Sequence, residues 1–239
     1  MIRSLIFAVL VILFSVPVRA QIDEIEKRLG VNSASGLSES KVASGLKQAL
    51  QVGSENAVKI VGKPNGYFEN QAIKIDMPKD LRPLESGLRA VGFGPKIDEF
   101  ILSMNRSAEA AAPAARKIFI DAILAMSFDD AKRILSGDNT AATEYFKQKT
   151  TGQLTDAFTP VVKKTMEENG VVKQYDGLTE QYKNIPFASS KSFDIDHYVV
   201  SKALDGLFYE LAEQEKQIRT NPAARTTDLL KEVFAHAGR

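Results

Sequence analysis

One segment limits the fold more than any other part of this sequence: IFIDAILAM, residues 118–126, is apolar at every position except Asp121. A helix that is apolar all the way round has to be surrounded by other elements. Stretches with apolar residues at helical spacing stand on both sides of it, separated by turns rich in Gly, Pro, Ser and Asn. We therefore predict an all-α fold, a single irregular multi-helix bundle in which residues 118–126 form a buried central helix.

A single segment has strand-like alternation. In GYFENQAIKIDMP, residues 66–78, the apolar residues Ile73, Ile75 and Met77 alternate with charged residues, which gives the segment one apolar face. No second strand of similar quality lies near it. The pattern therefore predicts a short extended strap that crosses helices and does not form a sheet.

Start and stop signals divide the helical stretches. Pro113 is expected to kink or restart a helix that spans 96–126. Two separate helices are expected next, one around Tyr145 and one over 154–169. Asp194 is expected to cap a long helix that reaches about Thr220.

The first twenty residues have the features of a secretory signal peptide. Arg3 precedes an apolar run over 5–14, and small residues stand at the positions that signal peptidase reads before Gln21. The run is shorter than the roughly 18 residues of a membrane-spanning helix, so we predict no transmembrane segment after cleavage at about Ala20. The expected product is soluble and periplasmic or secreted. It is not a lipoprotein, because Gln21 stands where a lipoprotein requires cysteine.

The sequence predicts three regions. Residues 1–20 are the predicted signal peptide. Residues 21–40 are predicted to form a short helix followed by a flexible linker. The linker is predicted because Gly, Ser and Asn dominate after residue 29. Residues 41–239 are predicted to form a single all-helical domain, a length that one hydrophobic core can serve.

Charge and residue types narrow the classes of function. The chain has 31 Lys and Arg against 30 Asp and Glu, so no nucleic-acid partner is expected. It has no cysteine and only two histidines, His197 and His236, so neither a metal site nor a cofactor is predicted. No nucleophile elbow, P-loop or dinucleotide fingerprint is present.

Seven polar residues with apolar or small neighbours form the candidate site. Three lie one helical turn apart ahead of an alanine-rich stretch, and one is alone in the apolar segment. Two form a favourable i,i+4 pair, and one stands one turn into the predicted last helix. They are Asn105, Arg106, Glu109, Asp121, Glu215, Arg219 and Arg225.

Two interpretations of this set stay open. The charged groups could form a structural ion network that docks the last helices, since a buried carboxylate needs a partner. Alternatively, the arginines could grip an anionic group of a ligand in a pocket, because a guanidinium matches carboxylate or phosphate. The structural interpretation is favoured.

Several long blocks resemble one family. They are VGKPNGYFENQAIKI, LSMNRSAEAAAPAARKIFIDAILAMSFDDAKRIL and KALDGLFYELAEQEKQIRTNPAARTTDLLKEVF. The chain is similar over roughly residues 41–234 to a bacterial family of exported proteins known only as domain of unknown function 4197. The resemblance implies a single all-helical domain behind a signal peptide. It implies no activity and no functional residue.

Two hypotheses of function remain. The first is a non-enzymatic helical binding or structural module of the cell envelope, with a small or lipidic ligand or a protein as its partner. The second is an envelope hydrolase that uses carboxylates and arginines. It requires Asp121 or Glu109 to reach an open cleft beside an arginine.

Overall fold

The computed structural model describes residues 39–168 and 193–225, together with positions 170, 173, 175–178, 180, 227 and 231. The predicted signal peptide over 1–20 lies outside the described residues. So do the short helix and most of the linker predicted over 21–40.

Within the described residues the chain forms seven α-helices and no β-strand, so the predicted all-α class is confirmed. Short 3-10 turns precede α2, join α3 to α4 and follow α7. The helices are α1 (Glu39–Val61), α2 (Arg82–Ala90), α3 (Gly94–Ala111), α4 (Ala115–Leu124), α5 (Phe128–Ser136), α6 (Ala141–Glu168) and α7 (Ile195–Thr220).

Most of the helix boundaries follow from local signals. Pro113 lies in the 3-10 turn between α3 and α4, so it restarts the helix as expected. Asp194 caps α7 by accepting a hydrogen bond from the His197 N–H, and the helix ends at Thr220.

Two separate helices were predicted around Tyr145 and over 154–169, and this prediction was wrong. A single helix, α6, covers both segments. Every fourth residue of α6 is buried, which gives one continuous stripe against the bundle. Burial along this stripe outweighs the low helix propensity of Gly152, about 1 kcal/mol relative to alanine. The stripe consists of Ala142, Phe146, Thr150, Leu154, Phe158, Val162 and Met166.

The bundle has a buried central helix, but it is not the segment 118–126. In α3, eight of the ten residues over 100–109 are buried and the other two are half-buried. In the expected segment, Phe119, Ile123 and Met126 are buried, whereas Leu124 is 71% exposed. The reason is position: α4 lies at the edge of the bundle, mainly against α1 and α6, so part of its surface faces water.

The longest helices pack around α7. It contacts α1, α3 and α6, while α3 also packs against α6, and α4 joins α1 to α6. Phe119 of α4 meets Phe146 of α6 edge to face, with ring centroids 5.0 Å apart, and lies 6.3 Å from the ring of Phe208 of α7. These aromatic contacts tie the edge helix to the rest of the core.

The segment 66–78 is a strap, as the alternation predicts. It has no strand partner among the described residues, and its apolar side chains Ile73, Ile75 and Met77 are buried. Hydrogen bonds join it to α3 and to α7. The strap therefore closes one side of the bundle and sets the surroundings of several candidate residues.

Candidate functional site

Glu109 and Arg106 of α3 hold the start of the strap. One carboxylate oxygen of Glu109 accepts the N–H groups of Tyr67 and Phe68, at 3.2 and 3.3 Å. The other oxygen accepts from Arg106 Nη1 at 2.6 Å, and Arg106 Nη2 donates to the Asn65 side chain. Because Glu109 is only 4% exposed, these bonds replace the water that its charge would otherwise need.

Asn105 holds the other half of the strap. Its side-chain oxygen accepts the Ile75 N–H at 2.9 Å, and its side-chain nitrogen donates to the Ile75 carbonyl at 2.8 Å. The amide thus satisfies both backbone groups of a buried residue, as a neighbouring strand would in a sheet. We call Asn105, Arg106 and Glu109 the strap clamp.

Tyr67 anchors the strap in the core and was not among the predicted site residues. Its side chain is fully buried, and its hydroxyl donates to the Ala203 carbonyl of α7 at 2.6 Å. Burial raises the pKa of the phenol, and the nearby carboxylates of Glu109 and Asp205 raise it further, so Tyr67 stays a neutral donor. Its ring lies against Gly206, where a Cβ would come within 2.5 Å.

A sequence signal for this contact existed in part. The aromatic residue lies in the segment with strand-like alternation, and α7 contains one glycine, Gly206. Nothing in the sequence pairs the two, because they are far apart in the chain and meet only through the tertiary fold.

Glu215 and Arg219 of α7 join three helix ends. The Glu215 carboxylate accepts the N–H groups of Ala142 and Thr143 at the start of α6, at 2.9 and 2.8 Å. A carboxylate is favoured there by the helix macrodipole. Arg219 pairs with Glu215 at 2.8 Å and also donates to the Ile134 carbonyl near the end of α5.

The last two candidates lie elsewhere. Arg225 donates to the carbonyls of Ile218 and Arg219, and so caps the end of α7. Asp121 is exposed and forms an ion pair with Lys117 on the surface of α4. Of the two carboxylates considered as partners of the arginines, Glu109 pairs with Arg106, whereas Asp121 does not reach an arginine because its side of α4 faces water at the edge of the bundle.

The structure thus divides six of the seven residues, all but Asp121, by the backbone that they contact. The strap clamp serves the strap, whereas Glu215, Arg219 and Arg225 serve helix ends. Glu109 is enclosed and has bonds at both carboxylate oxygens, so it does not reach an open cleft beside an arginine. This geometry matches the structural interpretation of the candidate set.

A cavity of about 20 Å³ lies between α1, α6 and α7, beside Gly53, Phe146 and Glu215. That volume suits about one water molecule.

A larger concave feature lies on the surface. A groove of about 330 Å³ runs between α5 and α6 and is lined by Asp130, Arg133, Glu144, Tyr145, Gln148 and Lys149, with Ile134 and Ala141. Its volume is at the lower limit of small-molecule sites. The Ser127 hydroxyl and N–H donate to the Asp130 carboxylate, and Arg133 pairs with it, so the pKa of Asp130 lies below its usual value.

Two large apolar side chains stand in the open near this groove. Leu124 ends α4 and is 71% exposed, and Phe128 begins α5 and is 40% exposed. The turn that carries them adjoins the groove, because the hydroxyl of Tyr145 donates to the Ala122 carbonyl at 3.2 Å and Asp130 follows Phe128 closely. We call the groove together with Leu124 and Phe128 the α4–α6 face.

Among the described residues, no group of three or more His, Asp or Glu side chains is arranged to hold a metal ion. None of the described helices combines the length and hydropathy that crossing a membrane requires.

Comparison with known proteins gives one match. A family model described as "Protein of unknown function (DUF4197)" matches residues 36–235. The match covers most of the chain and confirms the resemblance seen in the sequence. The chain matches no curated protein and no solved structure.

Proposed function

We propose that this chain, which belongs to the family described as "Protein of unknown function (DUF4197)", is a non-enzymatic binding module of the cell envelope. The buried carboxylates Glu109 and Glu215 are engaged by backbone N–H groups and arginines, so they support architecture. The α4–α6 face, in contrast, presents apolar and polar groups to solvent. We infer that the partner binds there.

The observation that carries the proposal is the pairing of Leu124 and Phe128 beside a groove. Single exposed apolar residues are ordinary on protein surfaces. Two large ones on one turn, next to a surface groove of about 330 Å³, are typical of an interaction site.

The contacts of the carboxylates weigh against the alternative of a hydrolase. A general base needs a free lone pair directed at substrate. Glu109 is only 4% exposed and accepts hydrogen bonds at both oxygens, so it is closed to a substrate, and Asp121 is paired with a lysine on the surface. No specific observation favours hydrolysis, so we do not propose it.

Residues 1–20 support the envelope location. We infer that they direct export and are removed before Gln21. Amino-terminal sequencing of the protein recovered from periplasm or medium is expected to begin at Gln21. An amino terminus at Met1, found in the cytoplasmic fraction, would contradict this assignment.

The binding role is tested by native mass spectrometry of protein purified from its own envelope. The wild-type chain is expected to carry a bound small molecule or a second chain. A Leu124→Ser/Phe128→Ser variant is expected to lose that mass, because the substitution removes the apolar part of the α4–α6 face.

Val91→Ser is the matched control. Val91 is 55% exposed at the end of α2, so its replacement removes an exposed apolar side chain far from α4 and α5 in the sequence. Retention of the partner by Val91→Ser and loss by the double variant support the proposal. A bare monomer for the wild type, or equal retention by all three proteins, would contradict it.

A further inference from the structure

The turn that leads into the strap contains a dipeptide that is open to a covalent modification. Asn65 is followed by Gly66, and the chain repeats this pair only at 169–170. In such a pair the glycine nitrogen can attack the asparagine side chain, because the glycine has no side chain to hinder the approach. The reaction removes the side-chain amide and leaves a carboxylate.

This chemistry needs water as its one co-reactant. The Gly66 nitrogen loses its proton and bonds to Cγ of Asn65, while the bond from Cγ to Nδ2 breaks and ammonia leaves with that proton. Water then opens the resulting succinimide ring at either of its carbonyl carbons. Opening at Cγ gives aspartate, whereas opening at the backbone carbonyl carbon gives isoaspartate, in which the main chain continues through Cγ.

The fold engages both groups that would react. Asn65 has a φ of 65°, in the left-handed region that asparagine adopts more readily than most residues. Its side-chain nitrogen donates to the Glu69 carboxylate, and its side-chain oxygen accepts from Arg106 of the strap clamp. The Gly66 N–H donates to the Lys63 carbonyl at 2.9 Å. The nucleophile and the amide that it attacks therefore both have hydrogen-bond partners already.

The reaction would break these contacts. The Gly66 N–H faces a carbonyl, which is not a base that can take its proton. Attack also makes Cγ of Asn65 tetrahedral, which moves its oxygen and nitrogen out of the plane in which they are bonded. The turn has little room to adjust, since a Cβ on Gly66 would lie 2.5 Å from the carbonyl oxygens of Ile60 and Val61. The reaction therefore requires a local opening in which the strap leaves α3.

We propose that Asn65–Gly66 is a deamidation site gated by the strap clamp: the reaction requires an open strap, and its isoaspartate product prevents the strap from closing again. Isoaspartate lengthens the main chain just ahead of Tyr67 and Phe68, whose N–H groups the clamp holds. The aspartate product keeps Arg106 as a partner but turns a carboxylate toward that of Glu69. This inference is independent of the partner proposed for the α4–α6 face.

The test is peptide mapping by mass spectrometry after incubation of the purified chain at neutral pH. Asn65 is expected to deamidate at least about tenfold more slowly in the folded chain than in urea, because the open state is rarely populated. Arg106→Gln is expected to raise the rate in the folded chain about fivefold, the effect of losing one hydrogen bond to the amide. Equal rates with and without urea, or an unchanged or slower rate in Arg106→Gln, would overturn the proposal.

Two controls separate the strap clamp from general stability. Ile123 is buried in α4, so Ile123→Ala lowers stability without removing a group from the turn, and its rate at Asn65 is expected to match the wild type. The pair at 169–170 reports on the same dipeptide in the same samples, and Arg106→Gln is expected to leave its rate unchanged. Equal acceleration at Asn65 by both variants, or at both pairs by Arg106→Gln, would contradict gating by the clamp.

A further measurement follows the strap in the modified protein. The deamidated fraction, which carries an added negative charge, is isolated by anion exchange, and its isoaspartate content is measured by peptide mapping. Hydrogen exchange at the Tyr67 and Ile75 N–H groups, which the strap clamp holds, is expected to be faster in proportion to that content. Full protection of these groups in the modified fraction would show that the strap still closes and would refute this part of the proposal.

Discussion

Two ion pairs on successive helices show how position decides what a charged residue does. Arg106–Glu109 on α3 and Lys117–Asp121 on α4 have the same distance of 2.6 Å between the charged atoms. The Glu109 side chain is 5% exposed and also binds two backbone N–H groups, whereas the Asp121 side chain is 52% exposed and binds one lysine.

The two pairs are therefore expected to differ widely in their effect on stability. Removing one partner of a buried pair leaves an uncompensated charge and unpaired backbone groups. An exposed pair contributes about 0–1 kcal/mol because water screens it. The buried pair of α3 holds the backbone of the strap, whereas the exposed pair of α4 bonds to no other element in the described part of the chain.

The largest effect is expected for Glu109→Ala. The substitution leaves the N–H groups of Tyr67 and Phe68 without acceptors and Arg106 without its partner, so the free energy of unfolding should fall by about 3–5 kcal/mol. Asp121→Ala should stay within about 0.5 kcal/mol of wild type. Urea denaturation followed by circular dichroism measures both, and similar losses for the two variants would contradict the expected difference between the pairs.

Two adjacent residues of α4 test whether one side of this edge helix is buried and the other is exposed. Ile123 is 5% exposed and Leu124 is 71% exposed. Ile123→Ala should therefore cost about 2–5 kcal/mol through the cavity that it leaves. Leu124→Ala should change stability by less than about 0.5 kcal/mol. A large loss for Leu124→Ala in the same assay would mean that α4 is enclosed after all.

Two helix glycines test the contact between the strap and α7. A Cβ on Gly206 would lie 2.5 Å from the Tyr67 ring, so Gly206→Ala should cost about 1–3 kcal/mol through overpacking. Gly152 of α6 has nothing within 4 Å of the same position, and Gly152→Ala should gain up to about 1 kcal/mol. Melting temperatures should move in opposite directions, and a gain for both variants would contradict the packing of Tyr67.

The smallest expected effect depends on pH. Burial raises the pKa of the Glu210 carboxyl, the Gln214 hydrogen bond and Lys63 lower it, and Glu213 raises it, with a net rise above the ordinary value of 4.5. The protonated form is thus favoured in the fold. Its contribution is complete below pH 4.5 and is lost as the pH rises through the raised pKa.

Glu210→Gln should therefore gain in melting temperature relative to wild type as the pH increases from about 4 to 8. The substitution removes the charge and keeps an oxygen that can accept from Gln214. Melting curves at several pH values measure the difference. A difference that stays constant across this range would exclude ionisation of Glu210 as its source.

Local patterns predicted much of the fold. The strap follows from alternation, the restart of the helix from Pro113, and the start of α7 from Asp194, since each depends on neighbours within a few residues. The candidate set was also partly predictable. Arg106 with Glu109 and Glu215 with Arg219 are contacts within one helix, which spacing alone can identify.

Contacts between distant segments were not predictable from spacing. Tyr67 against Gly206, and Glu215 at the start of α6, join residues that no local rule connects. The burial of 118–126 was overestimated for a related reason. An apolar segment shows that burial is possible on every side, but the number of neighbouring helices decides how many sides are covered.

The sequence alone determined that the chain is helical, where most helices begin and end, and which segment crosses them as a strap. These properties depend on backbone preferences and on the side-chain period, which act over a few residues. Only the tertiary structure decided that α3 is central and α4 is at the edge. The physical reason is that burial belongs to a residue's surroundings. For the same reason, Glu109 is buried and holds the strap, whereas Leu124 and Phe128 are exposed to solvent.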